Sequence, residues 1–395
     1  MKLSDVKNDV QKYIYMEDTA IIDVAVASVI STRLKIGEPL WLTVIGASSG
    51  GKSQIIRPIA NTDPEFIIPV DDLTENTLLS GASGKSSKSL LTEEFKQGMF
   101  SISDLTVLLS KSPESRATIL SQLRLLYDGK MVKHSGNSEE PLVWEGYLGI
   151  ISGSTPSIYS MFEEVSDMGE RFIYYRMKEY DPKKATELAL TRGKYGKELD
   201  AELSETYKEY IMSVVQKAGS IDMDTIKLTP EVRSRIIDVA TFAEQVRTTV
   251  QTNKYGSDHS ITRIPVTAMP MRVSLQLENL ARTMMLMKLH DTGDSTLEEE
   301  QLEILDWVGY SLANEEKRAC MKELSRAKYE SGMQAEELVE EIGLSSHIIS
   351  GFLENLVATK ILYMANGRFF FAKREYVEFI RRVEGTSGLD DNKIF

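Results

Sequence analysis

The sequence predicts an α/β fold: a three-layer core with a parallel sheet between helices, then a helical lid, a further helical part and a winged helix-turn-helix. Three observations predict it. Over the first 180 residues, short apolar runs rich in strand formers alternate with segments of helical spacing, the pattern of a parallel sheet covered by helices. The first of these runs feeds a glycine-rich loop, "GASSGGKS" at 46–53, that opens a helix. Near the other end, residues 333–380 read as helix, turn at Gly343, helix, then two short strands about an Asn-Gly turn, the order of a winged helix-turn-helix.

Val6, Val10 and Ile14, then Ile21, Ile22, Val24, Val26, Val29, Ile30 and Leu34 recur at near-helical spacing, so 4–35 is expected to be helical until Gly37 and Pro39 end it. "PLWLTVIG" reads as a buried parallel strand and "KSQIIRPIA" as the helix after the loop. "EFIIPVDDLT" and "GMFSISDLTVLLS" are the second and third strands, the third ending near Asp104. The glycine- and serine-rich segment 80–89 between them is a loop. "ESRATILSQLRLLYDG" is a helix stopped by Gly129, residues 130–145 form a hairpin, and "YLGIISGSTP" is the fourth strand. From 181 to about 290 the chain reads as almost wholly helical, and after a polar break so does 297–331. The expected domains are 1–180, 181–295 and 296–395, with a polar tail from Gly385.

Composition narrows the function classes. A length of 395 residues fits two or three domains. The net charge of −13 argues against a protein that coats DNA, though not against a local basic patch. Cys320 is the only cysteine and the four histidines lack metal-ligand spacing, so a reducing, intracellular compartment is expected. Residues 21–30 form the most apolar early run, but it is too short for a membrane span and contains Asp23. The N-terminus has no signal-peptide pattern.

The loop satisfies G-x-x-x-x-G-K-[ST] through Gly46, Gly51, Lys52 and Ser53. Glycines let main-chain N–H groups curl around a phosphate, and the following helix points its positive end there. The expected nucleotide contacts are Gly46, Ser49, Gly50, Gly51, Lys52, Ser53 and Gln54. Lys52 would neutralise the β- and γ-phosphates of ATP, and the Ser53 hydroxyl would sit on Mg²⁺. Asp104, ending the third strand, is the first candidate for the acidic partner of that metal; Asp71 and Asp72 compete, and each also reads as a turn or cap aspartate. Leu105 stands where many such ATPases place a water-activating glutamate, which leaves the base unassigned; Glu93 or Glu94 could serve if the fold brings one close.

These landmarks fall in the order of an AAA+ ATPase, and the sequence resembles the branch of minichromosome maintenance helicases and phage-type or mobile-element proteins. The likeness runs over about 10–290 and the terminal winged helix. It implies that Thr155, or Ser154, senses the γ-phosphate at the end of the fourth strand. It implies that Arg171, before "FIYYRM", reaches a neighbouring subunit's nucleotide, the alternative being an ion pair with Glu163 or Glu170. It assigns Arg272 to the second-sensor helix, "MPMRVSLQLENLARTMMLM". It also implies a homo-oligomeric ring, a hexamer, with replication proteins as partners in the cytoplasm of a bacterial or phage-infected cell. In that branch the hairpin holds nucleic acid, so Lys130, Lys133 and His134 are its candidate DNA contacts, against a purely structural hairpin. The winged helix is expected to bind DNA, through Lys360, Arg368, Lys373 and Arg374 near its wing, or protein. The expected functions are a DNA helicase or translocase, an ATP-switched loader or regulatory or defence ATPase, and, third, a metabolic kinase.

Overall fold

The computed structural model describes residues 1–78, 90–91, 95–133, 141–160, 171–191, 196–248, 250 and 267–385. It falls into two compact units. The first comprises Met1–Val232 with Leu275–Gln301, and the second Arg233–Ser274 with Leu302–Phe395. The helices of 181–295 are therefore shared between the units.

The first unit begins with α1 (Leu3–Gln11) and α2 (Ala20–Leu34). The single helical stretch expected over 4–35 is broken at 12–19. Apolar spacing lapses between Ile14 and Ile21, and the Asp18 carboxylate accepts from the Ala20 N–H, starting a new helix. Residues 21–32 of α2 are all buried, as befits a helix covered on every side. Lys35, in the left-handed region at φ 51°, ends it.

The sheet comprises β1 (Trp41–Ile45), β2 (Ile67–Pro69), β3 (Gln97–Ile102), β6 (Tyr147–Ser154) and β7 (Phe172–Arg176). All five are parallel, in the order β2-β3-β6-β1-β7. Ile45 is in register with Ser154 and Arg176, and Ile102 with Ser152. Every strand therefore ends on one edge, with β1 between β6 and β7. The fully buried β1 is the continuous apolar run expected of a strand covered on both faces. Helices α3 (Lys52–Ala60) and α4 (Pro113–Tyr127) alternate with the strands, and the Ser112 hydroxyl caps α4. β4 (Lys130–Lys133) and β5 (Leu142–Glu145) form the expected antiparallel hairpin. Its inward face is Met131 and Trp144, both buried.

After the sheet come α5 (Pro182–Thr191), α6 (Lys197–Ala218), α7 (Pro230–Arg247) and α8 (Met271–Thr292). The helix expected over 297–331 is two, α9 (Glu299–Tyr310) and α10 (Glu315–Arg326), because Asn314 caps the second through the Lys317 N–H.

The second unit ends in α11 (Ala335–Ile342), α12 (Ser346–Ala358), β8 (Leu362–Ala365), β9 (Arg368–Phe371) and α13 (Arg374–Val383), the last not separately anticipated. Gly343 closes α11 at φ 76°, and Asn366 and Gly367 make the β8–β9 turn at φ 51° and 73°. Met333 forms an isolated antiparallel bridge with Phe369 beside the two-stranded sheet. Buried Asp306 of α9 receives Arg235 at 2.6 Å and Arg382 at 2.8 Å, tying three helices together. Among the described residues no helix is long and apolar enough to cross a membrane.

Candidate functional site

Open parallel sheets place ligands at the carboxyl ends of their strands, where the strand order reverses. In this sheet the reversal falls at β1, whose successors lie on one side through β6 and on the other at β7. Residues 46–53 leave β1 at that point. The Gly46 N–H donates to Ser154 O at 3.1 Å and the Met177 N–H to Ile45 O at 2.8 Å, so both neighbouring strands pin the loop's base.

The loop's own geometry suits an anion. Gly51 caps α3 with φ 82°, and Ser49 is also left-handed at φ 59°. A Cβ on Gly50 would stand 2.9 Å from Ala47 O, so the tight turn there requires glycine. Among the described residues, the N–H groups of Ser48, Ser49, Gly51, Lys52 and Ser53 find no hydrogen-bond acceptor. Such groups at a helix N-terminus are donors ready for phosphate oxygens. Lys52 Nζ donates to Gly46 O at 2.9 Å and Ala47 O at 2.6 Å, which holds the ammonium over the loop. Burial pulls the Lys52 amine below its ordinary value, and the Asp104 carboxylate opposes that pull. Ser53 is exposed on the first turn of α3, with half-buried Gln54 beside it.

Asp104 thus lies within electrostatic reach of Lys52. It also caps a short 3₁₀ turn, Leu105–Ser110, accepting from the Thr106 N–H at 2.9 Å and hydroxyl at 2.5 Å. The cap reading and the metal reading coincide, because the residue is exposed and a carboxylate has further lone pairs. Asp72 is instead paired with Lys111 at 2.8 Å and follows β2 at the sheet's edge. Thr155 follows β6 directly, half-exposed, with its hydroxyl 2.6 Å from that of Ser157. Ser154 is fully buried and donates to Thr155 O.

Arg171 stands elsewhere. It precedes β7 and so lies at the amino edge of the sheet, roughly 20 Å along the strand from Met177 at about 3.3 Å per residue. It is 8% exposed, pairs with Asp128 at 3.3 Å and lies over the Tyr127 ring. The Gln276 side chain of α8 donates to its carbonyl at 2.6 Å. Arg272 opens α8 and belongs to the second unit. One edge of the sheet therefore gathers Lys52, Ser53, Asp104 and Thr155 and leaves Arg171 on the other.

The hairpin's lysines are engaged. Lys130 pairs with Glu145 at 2.5 Å, and Lys133 donates to Glu75 O at 3.2 Å and Asn76 Oδ1 at 3.0 Å. Its outward cross-strand pair is Val132 with Val143, both exposed. His134, Glu93, Glu94, Glu163, Glu170 and the 80–89 loop lie outside the described residues.

Beside the loop is a cleft lined by Met16, Asp18, Ile21, Tyr175, Met177 and Tyr180, among others. Met177 and Tyr180 reach both places: a Cβ on Gly46 would meet Met177 Sδ at 3.4 Å, and one on Gly51 the Tyr180 hydroxyl at 3.9 Å. Asp18 holds the cleft's shape, accepting from the Tyr175 hydroxyl at 2.6 Å. Half-buried Arg176, in register with Ile45, ends its strand at this same edge. Sequence reasoning missed these residues because their nearness to the loop depends on β7 flanking β1, which no local pattern encodes.

No protein-family model and no curated protein sequence matches the chain.

Proposed function

We propose that the chain is a Mg²⁺-dependent ATPase of the AAA+ type, with residues 46–53 as its phosphate-binding loop. The observation that carries this reading is the loop with unpartnered N–H groups and an overhanging lysine at the sheet's reversal point, with Asp104 in electrostatic reach. Main-chain groups of the loop and Lys52 would hold the phosphates, and Ser53 and Asp104 the metal. Bound Mg²⁺ would supply neutralisation of the charge that develops on the phosphate oxygens. The cleft beside the loop, lined by Met16, Tyr175, Met177 and Tyr180 together with Glu17, Asp18 and Lys178, is a candidate place for the base. Thr155 would orient a γ-phosphate or water from the end of the neighbouring strand.

The resemblance implies a ring in which Arg171 completes the neighbour's site. An arginine on the far edge of the sheet cannot serve its own loop, so any nucleotide it meets belongs to another chain. Its burial against Asp128 and Tyr127 favours a brace instead. The C-terminal α10–α12 and β8–β9 assembly is read as a winged helix.

Two outputs remain distinct. The resemblance favours a DNA helicase or translocase. The engagement of Lys130 and Lys133 by the hairpin's own surroundings, together with Leu105 in the place of a glutamate, favours an ATP-switched assembly or loading protein. ATP turnover measured with and without single-stranded and duplex DNA, alongside strand separation, decides. DNA-stimulated turnover with unwinding supports the motor; DNA-indifferent turnover supports the switch; no turnover and no ATP binding defeats both.

A further inference from the structure

The C-terminal helix–turn–helix–hairpin presents a face that the nucleotide reading does not use. α12 buries Ile349, Leu353 and Leu356 completely. Flanking that buried stripe run Ile348, Gly351, Phe352 and Asn355, spaced three and four apart along the helix. Ile348 is 42% exposed and the other three are half-exposed. Gly351, beside this pair, adds no side chain to the face. The face carries no charge.

Its surroundings are acidic. Residues 333–359 contain Glu336, Glu337, Glu340, Glu341 and Glu354 and neither lysine nor arginine. Among the described residues only Glu337 of these is ion-paired, with Arg368 at 3.0 Å. Glu336, Glu340 and Glu341 are exposed on α11, which leads through the Gly343 turn into the exposed start of α12. The nearby cations of β9 and α13 are engaged within the unit. Arg368 also donates to Ser331 O, Arg374 pairs with Glu378, Lys373 lies over Tyr376, and Arg381 donates to Ser325 O and Ala327 O.

A helix that reads DNA must bring positive charge to the phosphates. This one carries neither lysine nor arginine; exposed Lys360 follows it, and the helix before it presents Glu336, Glu340 and Glu341, which would repel phosphates. The same charges complement a basic partner and steer it in, and the apolar pair offers the anchor sites that carry most binding energy at interfaces.

We propose that α11 and α12 form a docking surface for a basic amphipathic helix of a protein partner. Its apolar residues seat against Ile348 and Phe352, and its Lys and Arg residues face Glu336, Glu340 and Glu341. The proposal stands independently of the nucleotide site. To test it, a library of short random peptides is selected on the immobilised whole chain at physiological salt, without nucleotide. Enriched sequences should be rich in Lys and Arg with apolar residues at helical spacing. Their affinity should fall ~10-fold or more for Ile348→Glu and for the Glu340→Lys/Glu341→Lys double variant. Both change exposed positions and should keep the wild-type melting temperature. Random-sequence duplex DNA is run in parallel. Absence of basic amphipathic sequences among the winners, capture indifferent to both variants, or DNA binding that exceeds peptide binding and is lost in Ile348→Glu each overturns the proposal.

Discussion

The two edges of the one parallel sheet use their polar groups in opposite ways. At the amino edge, several are matched internally, although Gln276 Oε1 is buried without a donor among the described residues. Trp41 Nε1 donates to Leu148 O at 2.7 Å, Asn279 to Glu38 O at 2.8 Å and Gln276 to Arg171 O at 2.6 Å, while the Arg171 guanidinium pairs with Asp128. At the carboxyl edge, five successive or near-successive N–H groups of the loop have no acceptor among the described residues, and Lys52 is held only by loop carbonyls. A buried polar group satisfied internally contributes to stability; the loop's N–H groups, on exposed or half-exposed residues, are left to water or a ligand and add little to the fold. The contrast teaches that substitutions at the first edge should act on folding and those at the second on chemistry.

The largest effect should come from Lys52→Ala, with ATP hydrolysis falling by about 100-fold or more and the melting temperature nearly unchanged. Hydrolysis near the wild-type rate, or a collapse in stability, breaks the contrast. Asp104→Asn should lower turnover by roughly 100-fold while ATP still binds. Asparagine caps as well as aspartate, so stability should hold, and a Mg²⁺ titration reads the loss of metal affinity.

Gly51→Ala places a side chain at φ 82°, which costs roughly 1–2 kcal/mol and should weaken ATP binding by about 10-fold at equilibrium. Unaltered affinity would show that the loop does not need this backbone. At the other edge, Arg171→Ala should cost roughly 2 kcal/mol of stability, reduced from a fully buried pair because Asp128 is half in solvent. Hydrolysis per folded molecule should stay within about threefold. If it is lost and returns on mixing with Lys52→Ala protein, Arg171 acts across a subunit interface and the bracing account fails.

Separate from both edges is a pH dependence in the N-terminal helices. Asp23 is buried in α2 beside Lys7 at 2.5 Å, and burial pushes its carboxyl from 3.8 up to about 6. A carboxyl raised on folding stabilises through its neutral form, so this contribution is present below 3.8 and is lost as pH rises through about 6. The difference is worth roughly 3 kcal/mol at most. Asp23→Asn should flatten the melting temperature across that window; an unchanged slope would place the titration in another group.

Much of this was legible in the sequence. The strand before the loop, the helix starting at Lys52, the hairpin and the Asn-Gly turn each rest on local chemistry: apolar runs, glycine at positive φ, cross-strand pairing. Asp104 was legible as a strand-end carboxylate, but its reach to Lys52 depends on β6 alone separating β3 from β1. The break at 12–19 depends on a carboxylate capping a helix two residues on, where periodicity gives little warning. Arg171 shows a related limit: an arginine beside an aromatic-led strand looks the same in sequence whether it faces a neighbour or folds back, and its contacts with Asp128 and Tyr127 depend on where the C-terminus of α4 lies. The cleft of Met16, Met177 and Tyr180 joins residues about 160 positions apart along the chain, a long-range meeting made by strand order alone.

The central claim is that residues 46–53 hold the phosphates of a nucleotide. Equilibrium binding of Mg²⁺·ATP to the wild-type chain and to Lys52→Ala tests it most directly. Saturable wild-type binding that the substitution weakens by about 100-fold, with both proteins equally folded, is the predicted result. Absence of wild-type binding, or equal affinity in the two proteins, would contradict it.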